Sequence, residues 1–349
     1  MTSFQRWSSR VRPIVVVAAC VVVGAVVLLS QAPPPQRPPQ GPPTASPQGG
    51  PPQGPPGTGP QRGGGRGGAP RVVRKQVLLW GEFTGGGAYH ESVNNALATL
   101  YRIGRVSGLY DAYIRTDPQF ITKQKLTVKA GGRDWPVGKN LDSFDAIFFY
   151  GQREIPLTQQ QMTDLISFVK DDGKGFVAAH TSFNAFERFP EFGEMLGARY
   201  DGHPWGGVEG SVLVLDQDFP GMKEFPPVFT FRDEFIQVKD FSWETSRVLM
   251  NLDTTKFDMA NPNVHRGAGD MPQAWARMHG KGRVWYTSFG HREDIFTNPA
   301  VQRIILGGFA WTLCNIDADV TPNVAQVAPQ GNQIPKLPPR PAPKPKAKK

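Results

Sequence analysis

Between Lys75 and Asn315 short apolar runs alternate with segments of helical spacing, and this alternation restricts the fold more than any other feature. Gln76-Val-Leu-Leu-Trp80 is bounded by Gly81 and reads as a buried strand. His90 to Ile103 follows, with Val93, Ala96, Leu97 and Leu100 on one helical stripe. Tyr110 to Arg115 is a second strand. Phe144 to Tyr150 is a third, and its continuous apolar character predicts cover on both faces. Thr158 caps a helix with Met162, Leu165, Ile166 and Val169 on one side, which ends at Asp172-Gly173. Gly175 to Ala179 is the next strand and runs straight into His180. Strand and helix in turn predict a doubly wound α/β fold with a mostly parallel sheet. Val208 to Leu215, Phe229 to Val238 and Arg247 to Leu252 add further strands. Gln273 to Met278 and Arg283 to Ser288 form an antiparallel hairpin around His279-Gly-Lys-Gly282. A last helix runs from Pro299 to Leu313.

The flanks have a different character. Residues 31–74 are Pro- and Gly-rich, and residues 316–349 are basic and Pro-rich. Neither has enough apolar side chains to offset the entropy of ordering, so both read as disordered, the first as a spacer. The net charge of +9 comes from these flanks. Residues 1–74 and 321–349 together hold fourteen Lys or Arg and no acid, leaving the middle near −5. A folded part of that sign is a poor nucleic-acid binder. Residues 1–13 carry Arg6, Arg10 and Arg12, and residues 14–30 hold the apolar run Ile14 to Leu29. A basic flank before such a run predicts an uncleaved signal anchor, ahead of a cleaved signal peptide or a lipoprotein box at Cys20. Each places the globular part outside the cytoplasm, on the periplasmic face of an inner membrane or secreted. Cys20 and Cys314 are the only cysteines, so no thiolate metal site is expected, and Cys314 reads as a small buried hydrophobe.

In open parallel sheets ligands bind beyond the carboxyl ends of the strands, so polar residues at those ends are the candidates. Glu82 follows the first strand and His90 opens the first helix. His180 ends the Gly175 strand. Asp201, His203 and Trp205 lie in the loop Tyr200-Asp-Gly-His-Pro-Trp205, and Asp233 and Glu234 sit early in the Phe229 strand. His291 and Glu293 follow the Tyr286-to-Gly290 segment. His90, His180, His203 and His291, if gathered, would bind a divalent metal such as Zn²⁺. The same imidazoles, with Asp233, Glu234 and Glu293, would equally do general acid–base chemistry without one. Trp205, with Tyr89, Trp80 and Trp243, offers aromatic rings to a ligand, although most such rings pack in the core. The Gly81-to-Gly87 loop lacks both the P-loop ending and the dinucleotide spacing, so no nucleotide cofactor is expected.

Several pieces together resemble the ThuA-like, or trehalose-utilisation, family. They are Tyr89-His90-Glu-Ser-Val-Asn-Asn-Ala-Leu97, Gly175-Phe-Val-Ala-Ala-His180-Thr-Ser182, Asp201-Gly-His203-Pro-Trp205 and Arg232-Asp-Glu-Phe235. Pro272 to Arg277, Gly280 to His291, and Asn298-Pro299 leading into Gly307-Gly308 complete the set. The resemblance spans residues 75–315 and implies a fold similar to class I glutamine amidotransferases. In those enzymes a cysteine at a sharp strand-to-helix turn pairs with a His-x-Glu. Here His291-Arg-Glu293 is similar to that element, but the turn carries His180-Thr-Ser182, which argues against thiol chemistry. The family also implies a carbohydrate substrate, a trehalose-type or 3-keto disaccharide, and a hydrolase, lyase or isomerase reaction, with His180, His291, Glu293, Asp233 and Glu234 as the catalytic candidates and Glu82, Tyr89, His90, Asp201, His203 and Trp205 as the substrate-binding ones. A non-catalytic sugar- or wall-binding module is the alternative. Oligomeric state is not legible in the sequence.

Overall fold

A computed structural model describes residues 74–87, 90–136 and 138–328. Its first half alternates strands and helices: β1 (Lys75–Glu82), α1 (Ser92–Ser107), β2 (Tyr110–Arg115), an outlying hairpin of β3 (Thr127–Ala130) and β4 (Arg133–Pro136), β5 (Ala146–Gly151), α2 (Gln159–Lys170), β6 (Gly175–Ala179) and α3 (Pro190–Leu196). The second half is richer in strands: β7 (Arg199–Gly202), β8 (Gly207–Val214), β9 (Val228–Glu234), β10 (Gln237–Lys239), β11 (Ser246–Leu252), β12 (Pro272–His279), β13 (Gly282–Thr287), α4 (Glu293–Thr297), α5 (Pro299–Thr312) and α6 (Val324–Val327).

Nine strands form one sheet in the order β2-β1-β5-β6-β13-β12-β11-β8-β9. From β2 to β13 the neighbours are parallel, and from β13 to β9 they are antiparallel. The strand–helix alternation thus builds the parallel part, and the later strands extend it on one side. Side chains alternate across the sheet, which explains the unbroken apolar run of β1. Val77 and Leu79 enter the core shared with Ala96, Leu97 and Ile305 of α1 and α5, while Leu78 and Trp80 enter the core shared with Leu165 and Phe192 of α2 and α3. Each such fully buried side chain contributes about 1.5–3 kcal/mol.

Local signals hold where the sequence states them most strongly. Thr158 accepts from the Gln161 amide and the Gln161 side chain returns to the Thr158 amide, a complete capping box. Gly108 ends α1 with φ 73°. The Gly307-Gly308 pair lets α5 approach its neighbours closely. A Cβ at Gly307 would sit 1.9 Å from the Pro220 carbonyl oxygen, and one at Gly308 would sit 2.6 Å from the Trp285 ring. Gly307→Ala is expected to destabilise the protein by about 2–4 kcal/mol, since backbone must move. Urea denaturation checks this; a change below about 0.5 kcal/mol would mean α5 slides freely.

Several expectations are corrected. The single strand predicted over Phe229 to Val238 is two, and β10 leaves the main sheet to pair with β7. Asp233 and Glu234 therefore end a strand rather than sit early in it. α3, β7 and the β3–β4 hairpin were not anticipated. The chain stays tied down beyond Asn315: Asp317 pairs with Arg283, Asp319 with Arg247, and Asn323 binds both the amide and the carbonyl of Val248. Cys314 is exposed, not buried, in a left-handed turn (φ 59°) just past α5. The expected anchor and spacer, up to Val73, and the expected tail from Pro329 lie outside the described residues. Among the described residues no helix is long and apolar enough to cross a membrane.

Candidate functional site

The carboxyl ends of β1, β5, β6 and β13 lie along one rim of the sheet, because these strands are parallel. His180 is the first residue after β6 and adopts φ 49°. A non-glycine residue in this left-handed region is strained by about 1–2 kcal/mol, and the fold maintains it with several bonds. The His180 carbonyl accepts from the Tyr286 hydroxyl at 2.6 Å. Its Nδ1 lies 2.8 Å from the Ser288 carbonyl oxygen, which only accepts, so Nδ1 carries the proton. Nε2 therefore presents a lone pair, and it is buried with no hydrogen-bond partner.

Glu234 comes to the same place by a longer route. β9 is the edge strand, four positions from β13 in the sheet order. The end of β9 nevertheless meets the segment after β13, and the register between β11 and β12, on the way from one to the other, is irregular. The Asp233 carboxylate locks this contact by accepting from the amides of Gly290 (2.8 Å) and Arg292 (3.1 Å). Those two residues bracket His291. Gly290 has φ 141°, and its carbonyl accepts from Tyr150, whose hydroxyl also contacts Ser92 at 2.9 Å. The His291 backbone is thus held from both sides.

His90, His180, Glu234 and His291 each offer one ligand atom, and all four atoms lie within 4.8 Å of one another. Ring centroids of His90 lie 5.0 Å from those of both His180 and His291. Nδ1 of His291 is 3.1 Å and Nε2 of His180 is 3.7 Å from Oε2 of Glu234. Both nitrogens are buried, and beyond these contacts neither has a hydrogen-bond partner. Leaving such an atom unsatisfied costs about 1–3 kcal/mol, which a shared ligand would offset. Ligand atoms around a tetrahedral zinc ion are separated by about 3.3 Å. The separations here start at 3.1 Å between His291 and Glu234 and stay within 4.8 Å, so the cluster is looser than an ion-filled tetrahedron. The donor set, imidazoles plus one carboxylate, fits a divalent ion such as Zn²⁺.

The electrostatics separate the roles. Burial, with the neighbouring His90 charge, pushes His180 down to about 3, so it is neutral at physiological pH. Contact with Glu234 raises His291, against the opposing effect of its partial burial. Burial would raise Glu234, but contact with His291 and the charges of His203 and His180 outweigh it and hold the carboxyl at about 2. Burial pushes Asp233 up to about 7, against its amide donors. An open cavity of about 540 Å³ adjoins the cluster, lined by His90, His291, Arg232, Glu91, Glu293 and Asp294 among others.

The remaining sequence candidates fall at varying distances from this centre. His203 acts on Glu234 through its charge, but it is exposed and is not among the four converging ligands; Glu234 takes the place expected for it. Glu293 sits in the first turn of α4 and lines the cavity mouth; the carboxylate beside His291 is Glu234, not Glu293. Asp201 accepts from Nδ1 of His265 at 2.9 Å. Trp205 ties its loop to the segment between β11 and β12, packing on Phe257 and donating to the Asp258 carbonyl. Glu82 is buried and accepts from the Thr84 amide, and it does not line the cavity. Tyr89 lies outside the described residues. Sequence reasoning missed Tyr150, Ser92 and Arg232. The signal for Tyr150 was its place at the carboxyl end of the third apolar run.

Comparison with known proteins agrees with this architecture. The family model for ThuA, trehalose utilisation, matches residues 76–312. A ThuA-like protein from Bacteroides uniformis ATCC 8492 superposes with TM-score 0.57 at 17% identity, covering 74% of this chain and 99% of that one. A second, from Parabacteroides merdae ATCC 43184, gives TM-score 0.52 at 16% identity, covering 71% and 93%. No curated protein sequence matches. These likenesses show the fold, while the family-model match spans all four converging residues. The chain belongs to the ThuA, or trehalose-utilisation, family.

Proposed function

We propose that this protein is a membrane-tethered, extracytoplasmic enzyme that acts on an oxidised disaccharide, of the trehalose or 3-keto type, at a centre formed by His90, His180, Glu234 and His291. The observation that carries the reading is the convergence of four potential ligands from separate parts of the chain, two of them with buried, unpartnered nitrogens. A divalent cation held there would polarise a carbonyl oxygen of the substrate.

The residues divide the remaining work. His180 would have to take up a proton about four pH units above its basicity, which costs about 5 kcal/mol. It therefore serves as a fixed neutral ligand rather than the base. With His90, His180 and Glu234 as the three ligands of an open site, His291 stays uncoordinated; it lines the cavity, its basicity is raised by Glu234, and it takes the proton from the carbon next to the sugar carbonyl. Glu91, Arg232, Glu293 and Asp294 provide donors and acceptors for sugar hydroxyls. The cavity volume of about 540 Å³ lies within the range of small-molecule sites and suits a disaccharide. The basic flank and apolar run of residues 1–30 support the extracytoplasmic placement.

His291→Ala is expected to reduce turnover of 3-keto-trehalose by at least about 100-fold. Product formation by chromatography, with unoxidised trehalose in parallel, measures this. Turnover at the wild-type rate by a folded His291→Ala variant would remove His291 from the mechanism. A binding module without catalysis would bind the sugar saturably with no turnover, and a Trp205→Ala variant would weaken that binding more than His291→Ala.

A further inference from the structure

We propose that a second site, distinct from the histidine cluster, binds a small organic carboxylate with a ring-like apolar body, of about the size of benzoate. It is a cavity of about 160 Å³ lined by Phe183, Phe186, Phe189 and Tyr200 with Arg199 and Lys239.

The placement of the two cations is the central observation. Arg199 of β7 and Lys239 of β10 are direct register partners in a two-stranded antiparallel sheet. Like charges in that relation repel each other. Both are half-buried and both line the same cavity. Among the described residues neither makes an ion pair, although Glu187 lines the cavity too. An anion in the cavity would be flanked by both charges at once.

A glycine makes room for one of them. Gly193 lies inside α3, where glycine is less favourable than alanine by about 1 kcal/mol. A Cβ there would meet Cγ and Nε of Arg199 at 3.0 Å, so the glycine allows the arginine stem to lie against the helix. From this position Arg199 lines the cavity.

The aromatic floor selects the ligand class. Phe183 and Tyr200 have ring centroids 6.1 Å apart, and Phe186 and Phe189 are buried. A bare inorganic oxyanion would lose hydration against these rings without hydrogen bonds in return. A carboxylate on an apolar ring satisfies both halves of the cavity. The volume is about half that of the smallest drug-sized sites and holds about ten non-hydrogen atoms.

Isothermal titration of the full chain with benzoate, benzyl alcohol and inorganic phosphate tests the proposal, with Lys239→Gln, Arg199→Gln and His291→Ala variants alongside. Benzoate is expected to bind one saturable site, with benzyl alcohol and phosphate each about tenfold weaker or more. Either charge-removing variant should weaken benzoate about fivefold or more while His291→Ala leaves it unchanged. The proposal is overturned if benzoate shows no saturable binding, or if phosphate or benzyl alcohol binds as well. It is also overturned if His291→Ala removes binding and the charge variants keep it, which would place the anion at the histidine cluster instead.

Discussion

His180→Ala is expected to abolish both stable metal retention and turnover, the latter by at least about 1000-fold. The reasoning starts from the backbone. His180 occupies the turn where β6 ends, at φ 49°, with its carbonyl and Nδ1 both engaged. Those contacts leave Nε2 one direction to face, toward Glu234 and the other two imidazoles. Alanine removes the ligand and leaves the Ser288 carbonyl without its donor, a loss of about 1–3 kcal/mol. It also keeps the strained backbone. His180→Gly should therefore be more stable than His180→Ala by about 1 kcal/mol while equally inactive. Metal content after desalting and thermal denaturation of both variants measure these effects. A His180→Ala protein that keeps its metal and half its activity would show that His180 is only packing.

Asp233→Asn carries the second large effect, through position rather than contact with substrate. The Asp233 carboxylate accepts two amides that bracket His291. An asparagine of the same shape can accept only one of them and turns its own N–H₂ toward the other. A stability loss of about 1–3 kcal/mol and metal affinity weakened about 10- to 100-fold are expected. The pH dependence provides an independent signature. Burial raises Asp233 from 3.8 in the ordinary state to about 7 in the fold. Between those values the folded state binds more protons than the unfolded one, so this group's contribution to stability falls as pH rises from about 4 to 7. Asparagine does not titrate, so the decline over that window should be shallower in Asp233→Asn. Denaturation midpoints at several pH values check this, and parallel curves for the two proteins would contradict it.

The fold was legible in the sequence where one element satisfied one local rule. The β1 run, the Thr158 cap and the Pro299 start of α5 each state their structure within a few residues. The β9–β10 break was not legible. Phe229 to Val238 has continuous strand character, and only tertiary bending separates Glu234 from Gln237. The site shows the same division. His180 and His291 follow strands and were found by that position. Glu234 joins the cluster from the end of an edge strand four positions away from β13 in the sheet order, which no local pattern encodes. Its neighbour Asp233 was grouped with it as a catalytic acid, yet the carboxylate is turned to the backbone amides around His291. His203 misled for the opposite reason. Its motif is as distinctive as the others, but its loop holds the imidazole at the outside of Glu234, in solvent.

Titration of Co²⁺ into demetallated protein, followed in the visible spectrum, tests the centre most directly, because imidazole and carboxylate ligation generates absorption that hydrated Co²⁺ lacks. Saturation at one ion per chain, lost when Glu234 and His291 are both replaced by alanine, is the expected result. A flat titration, or one indifferent to that double replacement, would mean that the imidazoles and the carboxylate at the rim do not act together on an ion.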